Sequence, residues 1–213
     1  MRRALAQASI SSLALAAVLG ATPRPAAAAD LLEPPRPRQG YYFALGYSFA
    51  LNKNWEGDKT WGVWPGTELK IRMGQLVTRR FGLGLQIHSG AAAGQGQQSA
   101  FGGLTMEGQF EIARNLALYG GIGVDVVSLT SQHIEDKTTR GAVGSGYYLG
   151  TSYDWFFTKR ASGGWAVTPT IEARLVPGTT ATGFIAVVGV QIIYWTGLPR
   201  NQLDLPPGEA FKR

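Results

Sequence analysis

Large apolar residues recur at every second position through most of the chain after residue 40. The first such segment, YYFALGYSFAL at residues 41–51, interleaves two sets of side chains. The large set is Tyr41, Phe43, Leu45, Tyr47, Phe49 and Leu51, and the intervening set is Tyr42, Ala44, Gly46, Ser48 and Ala50. Successive side chains of a β-strand point to opposite faces, so this period predicts a strand whose two faces meet different surroundings.

Seven later segments repeat the alternation, and their charged residues fall on the second face. The segments are 67–74, 80–88, 104–112, 116–126, 146–157, 165–175 and 184–194. A soluble sandwich or a lipocalin-like periplasmic carrier would also alternate. Long, aromatic-rich apolar faces on all eight segments, opposite small and charged residues, favour apolar side chains outside a cylinder and charges inside it. The predicted fold is therefore all-β, an eight-stranded antiparallel up-and-down transmembrane β-barrel.

The gaps between the predicted strands are alternately long and short. The intervals 52–66, 91–100 and 129–141 are long, whereas 78–79 and 113–114 are tight. Outer-membrane barrels have long extracellular loops and short periplasmic turns, which predicts that both chain ends are periplasmic. Loops 52–64 and 129–141 combine charged and polar residues and are candidates for binding an extracellular ligand.

The first 29 residues have the organisation of a secretory signal peptide. Arg2 and Arg3 precede the weakly apolar stretch 4–19, and Ala27–Ala29 form an A-x-A cleavage site. A transmembrane helix is the competing interpretation, but polar residues interrupt the apolar run. The predicted organisation is a signal peptide at 1–29, a Pro-rich periplasmic segment at 30–40, a barrel at 41–195 and a Pro-rich periplasmic tail at 196–213.

The composition of the chain argues against disulfides, thiolate metal sites and nucleic-acid binding. The chain has no cysteine, which excludes disulfides and thiolate metal sites. The formal net charge of +6 falls to +3 without Arg2, Arg3 and Arg24, too little to indicate nucleic-acid binding. No cofactor or metal is expected.

Charged residues on the inward face form a candidate network inside the barrel. An eight-stranded barrel is only wide enough for side chains to fill, so we expect these charges to pair and to close the lumen. A narrow gated pore is the alternative, because an exchange of ion-pair partners could open a file of water. The candidate residues are Glu68, Lys70, Arg72, Arg80, His88, Glu107, Glu111, Asp125, Asp154, Glu172 and Arg174.

Aromatic residues cluster at the strand ends that the loop pattern assigns to one membrane surface. Aromatic rings with a polar atom suit the boundary between hydrocarbon and water, so we expect a girdle there. Its members are Tyr41, Phe43, Phe81, Phe110, Trp155, Phe157, Trp165 and Tyr194, and Trp55, Trp61 and Trp64 are candidates for the opposite girdle. Pro169 interrupts the seventh strand and should lie at a bulge or a frayed pair.

An enzyme is the rival class, and the sequence gives it little support. The two histidines are His88, beside Ser89, and His133, near Ser131 and Glu135. Some outer-membrane barrels modify lipid A with a histidine and a serine at the rim, but the His-x-Ser arrangement of the deacylases is absent here. No catalytic residue is predicted, and a lipid A-modifying barrel remains an alternative.

With these features the chain resembles the small eight-stranded outer-membrane β-barrels of Gram-negative bacteria, the OmpA-, OmpX- and opacity-protein-like group. The resemblance covers about residues 40–195. It implies that Gly189, Ile192 and Tyr194 act as a glycine-x-x-hydrophobic-x-aromatic signal for the barrel-assembly machinery. It also implies contacts with outer-membrane lipids and lipopolysaccharide, and a structural or surface-binding role without chemistry.

Overall fold

A computed structural model describes residues 38–56, 59–94, 96–131, 139–158, 163–178 and 182–197. The predicted signal peptide, most of the predicted N-terminal segment, nearly all of the predicted tail and the middle of loop 129–141 lie outside these residues. The strands are β1 (Tyr41–Glu56), β2 (Lys59–Leu76), β3 (Phe81–Gly94), β4 (Gln97–Ala113), β5 (Leu116–Ser131), β6 (Thr139–Tyr153), β7 (Trp155–Phe156), β8 (Gly164–Pro177) and β9 (Thr182–Trp195). The described residues contain no helix that is long and apolar enough to cross a membrane.

The strands close into an antiparallel barrel in chain order. Each strand from β1 to β5 pairs with the next, β8 pairs with β9, and β9 pairs with β1. The short β7 continues the line of β6, and both pair with β8. The sheet therefore contains eight barrel strands, one of them in two parts, and the predicted eight-stranded antiparallel barrel is confirmed.

The two faces of the sheet are divided as the alternation predicts. Leu45, Leu83 and Ile122 point outward and are 54%, 52% and 53% exposed, whereas Lys70 and Arg72 on the opposite face are almost fully buried. On β9 the outward apolar residues run from Phe184 to Tyr194, about 33 Å along a strand at ~3.3 Å per residue. At a strand tilt of ~40° this is about 25 Å along the barrel axis, which matches the ~25 Å apolar band of outer-membrane barrels.

Two of the predicted long loops are extended hairpins, which corrects the sequence-based interpretation. Residues 51–53 pair with 63–65, and after a bulge the ladder continues to Glu56 and Lys59. Likewise, Ala91–Gly94 pair with Gln97–Ala100. Most outward residues there are small or polar, such as Ala91, Ala93, Ala100, Lys53 and Gln98, so the alternation of large apolar residues fades although the backbone pairing continues.

Pro169 lies where one ladder is interrupted. It pairs in register with Val190 of β9, but the β6–β8 ladder stops at Ser152 and Thr170 and resumes from β7 at Trp155 and Val167. A proline has no backbone N–H to donate, which accounts for a local gap. The break separates β6 from β7 without a shift in register and places Asp154 between them.

Candidate functional site in the barrel interior

The barrel interior is built by the inward face of every strand. We call the end where β1 begins and β9 finishes the entry end, and the end that carries the β1–β2 and β3–β4 hairpins the hairpin end. Charged residues occupy the middle of the lumen, and apolar clusters lie toward both ends. The strict alternation makes this filling possible, because each strand contributes every second side chain to it.

Glu107 is the centre of one group of hydrogen bonds. Arg72 binds it in a bidentate manner, with Nε 2.8 Å from Oε2 and Nη2 2.5 Å from Oε1. The hydroxyls of Tyr42 and Tyr148 donate to Oε1 and Oε2, each at 2.8 Å. The Glu107 carboxylate is buried from solvent and accepts four hydrogen bonds, two from a guanidinium and two from hydroxyl groups. Such an arrangement offsets the cost of burying a charge.

Glu172 is the centre of a second group. Lys70 Nζ lies 2.9 Å from its Oε2, and Arg174 Nη2 pairs with its Oε1. Glu68 extends the group, since Arg174 Nη1 lies 3.3 Å and Lys70 Nζ 3.4 Å from its carboxylate. Two carboxylates and two cations therefore form a closed four-member cluster.

Tyr119 joins the two groups. Its hydroxyl donates to Glu172 Oε2 at 3.3 Å, and the guanidinium of Arg72 lies 4.0 Å from the centroid of its ring. Gln86 of β3 donates to Glu172, and Gln191 of β9 accepts from Arg72 at 3.4 Å. With these contacts, all eight barrel strands contribute a side chain to one connected network.

His88 and Asp125 form a looser pair beside the network. His88 Nε2 lies 3.4 Å from Asp125 Oδ1, and both side chains are buried. Neither carboxylate oxygen of Asp125 has a hydrogen-bond partner among the described residues. The glycines Gly103 and Gly146 on the neighbouring strands make room for this carboxylate.

Three of the candidate network residues lie at the entry end. Asp154 is buried and accepts hydrogen bonds from Thr168 Oγ1 at 2.9 Å and from Trp195 Nε1 at 3.0 Å. Glu111 is buried near the β4–β5 turn, where it accepts from the backbone N–H of Asn115. Arg80 is exposed in the turn after Leu76 and does not point into the lumen, because the strand alternation has already ended there.

The lumen at the hairpin end is apolar. A buried cluster fills it, with Trp64 and Phe101 as its largest members. The expectation that Trp64 belongs to a membrane girdle is wrong, because it faces inward, 1% exposed, against Gly94. Trp55 is half-buried, and the side chain of Trp61 lies outside the described residues.

The predicted girdle residues all lie on the outer face at the entry end. Tyr41 and Trp155 are 60% and 72% exposed, and the rings of Trp165 and Tyr194 contact each other with centroids 4.9 Å apart. Of the predicted assembly signal, Ile192 and Tyr194 point outward, whereas Gly189 faces inward against Ser48. Their roles remain predictions.

Of the two histidines, His88 lies among the described residues, and His133 lies outside them. His88 points into the lumen, and its neighbour Ser89 is exposed on the outer face, so the two do not form a pair. Among the described residues, no group of three or more histidine, aspartate or glutamate side chains could hold a metal ion. In the part of the interior that the structure describes, Arg72, Lys70 and Arg174 are each paired with a carboxylate.

The sequence did not indicate the role of four residues that contribute contacts in the barrel interior. Tyr42, Tyr119 and Tyr148 share the inward parity of the charged residues, and this signal could have marked them as hydrogen-bond donors to carboxylates. Arg38 is different. It precedes the first strand in a proline-rich stretch, and no periodic signal indicates that it is buried.

Comparisons with known proteins give structural but no sequence relatives. No family model matches the chain, and no curated protein matches it. The crystal structure of Ail, the attachment invasion locus protein of Yersinia pestis, in complex with the heparin analogue sucrose octasulfate is 12% identical, with a TM-score of 0.54. The match covers 73% of this chain and 99% of Ail.

Two further structures are similar. A structure of Ail described without that analogue is 14% identical, covers the same shares of both chains and gives a TM-score of 0.52. Neisserial surface protein A is 11% identical over 71% of this chain and 96% of its own, with a TM-score of 0.47. The chain therefore has the fold of the small eight-stranded outer-membrane β-barrels that its sequence pattern resembles.

Proposed function

We propose that this protein is an integral outer-membrane barrel with a closed lumen, whose work is done by its outer and extracellular surfaces. The observation that carries the proposal is the combination of an exposed apolar band with a connected ion-pair network that reaches every strand. An apolar surface of this extent is stable only when lipid or another apolar phase covers it. The membrane is the covering that fits a closed cylinder, because the strands that the structure describes leave no open sheet edge.

The orientation follows from the lengths of the connections. The entry end has the tight turns at 77–80 and 114–115, and the hairpin end has strands that continue past the apolar band. We assign the entry end and both chain ends to the periplasm, and the hairpins to the cell exterior. Secretion through the signal peptide at 1–29 and insertion by the barrel-assembly machinery through Gly189, Ile192 and Tyr194 belong to this proposal.

The lumen supports a non-conducting role. Arg72, Arg174 and Lys70 each lie within bonding distance of a carboxylate, and the apolar cluster around Trp64 fills the hairpin end. An ion crossing the barrel would have to displace both layers. Desolvating an ion without replacing its partners costs several kcal/mol, which makes steady conductance through this interior unfavourable.

Planar-bilayer recordings test the closed lumen. Folded protein, verified by its faster migration on unboiled gels, should give a flat baseline. Glu107→Gln should also stay closed, because the apolar layer at the hairpin end is unaffected. Regular conductance steps from the unchanged protein, altered in size by Glu107→Gln, would instead establish the narrow-pore alternative.

A surface-binding role is supported by the hairpins. They extend the sheet beyond the band and expose polar groups such as Lys53 and Gln98. Ail, which shares the fold, has been solved with a sulfated sugar, which makes heparin a reasonable first probe. Reconstituted protein should retain heparin in preference to uncharged dextran and lose part of this preference in Lys53→Ala. Equal retention of both polymers would favour a purely structural role.

A further inference from the structure

Among the residues that the structure describes, Arg38 lies outside the predicted barrel, and its side chain crosses the entry end. Arg38 lies three residues before β1, yet it is buried, with only 3% of its surface exposed. Its Nε lies 2.7 Å from Asp154 Oδ2, and its Nη2 donates to the carbonyl oxygen of Asn115 at 2.9 Å. The guanidinium also lies 5.9 Å from the ring centroid of Trp195.

These contacts span the opening. Trp195 ends β9, next to β1, while Asp154 lies between β6 and β7, and Asn115 lies in the turn that leads into β5. In an eight-stranded barrel, β5 is four strands from β1 in either direction, on the opposite wall. The guanidinium therefore connects the side on which the chain enters to the far side of the rim.

The backbone next to Arg38 is fixed in the same region. Gly197 N–H donates to Gln39 O at 3.1 Å, Thr196 N–H to Tyr41 O at 2.9 Å, and Leu76 N–H to Gly40 O at 3.0 Å. Gly40 has a φ of +75°, and a β-carbon there would collide with Thr196. Only glycine adopts this bend readily, so the approach of Arg38 to the opening is built into the local backbone.

Asp154 also requires a cation at this place. Its carboxylate is buried and lies apart from the Glu107 and Glu172 groups, in the break between β6 and β7. Thr168 and Trp195 supply neutral donors, and Arg38 supplies the positive charge. A guanidinium can satisfy the carboxylate, the carbonyl oxygen and the indole face at once, because it is planar and has several N–H groups.

We propose that Arg38 is a built-in stopper that closes the entry end of the lumen, with Asp154 as its anchor. This inference goes beyond the closed lumen proposed above by assigning the closure of one end to a residue that precedes the barrel. Without Arg38, the cluster of Tyr42, Ala44, Ala166, Ile193 and Trp195 behind it should become accessible to water-soluble reagents from the entry end.

The absence of cysteine makes a direct accessibility test possible. One introduced cysteine is the only thiol in the protein, and two alanines that are fully buried on the inward face offer matched positions. Ala166→Cys reports on the entry-end cluster, and Ala50→Cys on the cluster at the hairpin end. The full chain, refolded in detergent micelles, is treated with a cationic methanethiosulfonate, and the labelling rate is measured.

Arg38→Ala should raise the labelling rate of Ala166→Cys at least tenfold and leave that of Ala50→Cys within about twofold. Arg80→Ala is the control, since it removes the same charge from an exposed position at the same end and should change neither rate. Arg38→Gln, which keeps a polar side chain but loses the charge, should raise the Ala166→Cys rate at least threefold. If Arg38→Ala does not fold, the labelling rate in Arg38→Gln tests the proposal in its place.

Two results would overturn the stopper. One is an unchanged rate at Ala166→Cys in folded Arg38 variants, and the other is an equal rise at both reporters, which would indicate general loosening of the barrel. Fast labelling of Ala166→Cys with Arg38 intact would be a third such result, because the stopper would then not shield the entry end. Fast labelling of Ala50→Cys with Arg38 intact would instead contradict the closed lumen itself. The failure of this inference and the failure of the proposed function are thus distinguishable.

Discussion

Each charged side chain in the lumen depends on the partners that neighbouring strands bring to it. Glu107 receives both N–H groups of the Arg72 fork and two tyrosine hydroxyls, whereas Asp125 has only His88 at 3.4 Å. Both carboxylates are buried to a similar degree. The two carboxylates differ in the number of hydrogen bonds and opposite charges that offset the cost of their burial, and they do not differ in exposure. This difference can be measured.

Glu107→Gln should destabilise the barrel far more than Asp125→Asn. The first change leaves Arg72 buried without its counter-charge, which typically costs about 3 to 5 kcal/mol. The second removes a charge that has little compensation, so the free energy of unfolding should change by less than about 1 kcal/mol or rise. Urea unfolding in lipid vesicles, followed by tryptophan fluorescence, measures both. Equal losses would contradict the distinction between the two carboxylates.

Gly103 should be intolerant of a side chain although it lies in a regular strand. A β-carbon at this position would occupy the space of the Asp125 carboxylate. Gly108, on the same strand, is the control, because a β-carbon there would lie at ordinary contact distance, 3.6 Å, from the ring of Phe81. Gly103→Ala should lower the yield of heat-modifiable, folded barrel sharply, and Gly108→Ala should not. Similar yields would show that Asp125 moves aside freely.

At the level of elements, the hairpins combine outward faces of mostly small or polar residues with an inward apolar layer. The β1–β2 hairpin carries Trp64 inward, and β4 carries Phe101 inward, into the cluster that fills the lumen at this end. The hairpins are therefore part of the packed structure. Strand pairing at 51–56 is stabilised by side chains that lie inside the barrel.

Trp64→Ala should consequently reduce the free energy of unfolding by about 3 to 5 kcal/mol, the usual loss for removing a buried tryptophan. Trp55→Ala, in the same hairpin, removes a half-buried ring and should cost much less. The two variants are compared by the same urea titration. If Trp64→Ala were as mild as Trp55→Ala, the apolar layer would contribute little to the barrel.

The period-two pattern of the sequence was sufficient to predict some strands and insufficient to predict others. The segment 43–51 alternates strictly between large and small side chains, so its strand and its inward side could be predicted from period two alone, whereas in 184–194 the inward residues Ile185, Val187 and Ile193 are apolar as well. The stretch 52–66 contains Pro65, Gly66 and several polar residues, which resemble a loop. Its pairing is set by the opposing strand and the buried Trp64, and this information is not local.

At the scale of the molecule, the lumen has three layers: the Arg38 closure, the ion-pair network and the apolar cluster. Inward parity could be predicted for ten of the eleven candidate network residues. The ion-pair partners of these residues could not be predicted. Arg72 pairs with Glu107 across strands whose relative register follows from closure of the whole barrel. The same holds for Arg38, which has a partner only once the rim is complete.

The central claim is that apolar side chains meet lipid while charged ones are enclosed. Nitroxide labels on single cysteines at positions 122, 124, 125, 126 and 127 of β5, in the barrel reconstituted in bilayers, test it most directly; position 123 is left out because a β-carbon there would collide with the backbone of Leu104. The outward positions 122, 124 and 126 should collide with lipid-soluble oxygen and not with a water-soluble nickel complex, and the inward positions 125 and 127 should collide weakly with both. A pattern without period two, or outward labels that reach the nickel complex, would contradict the membrane barrel.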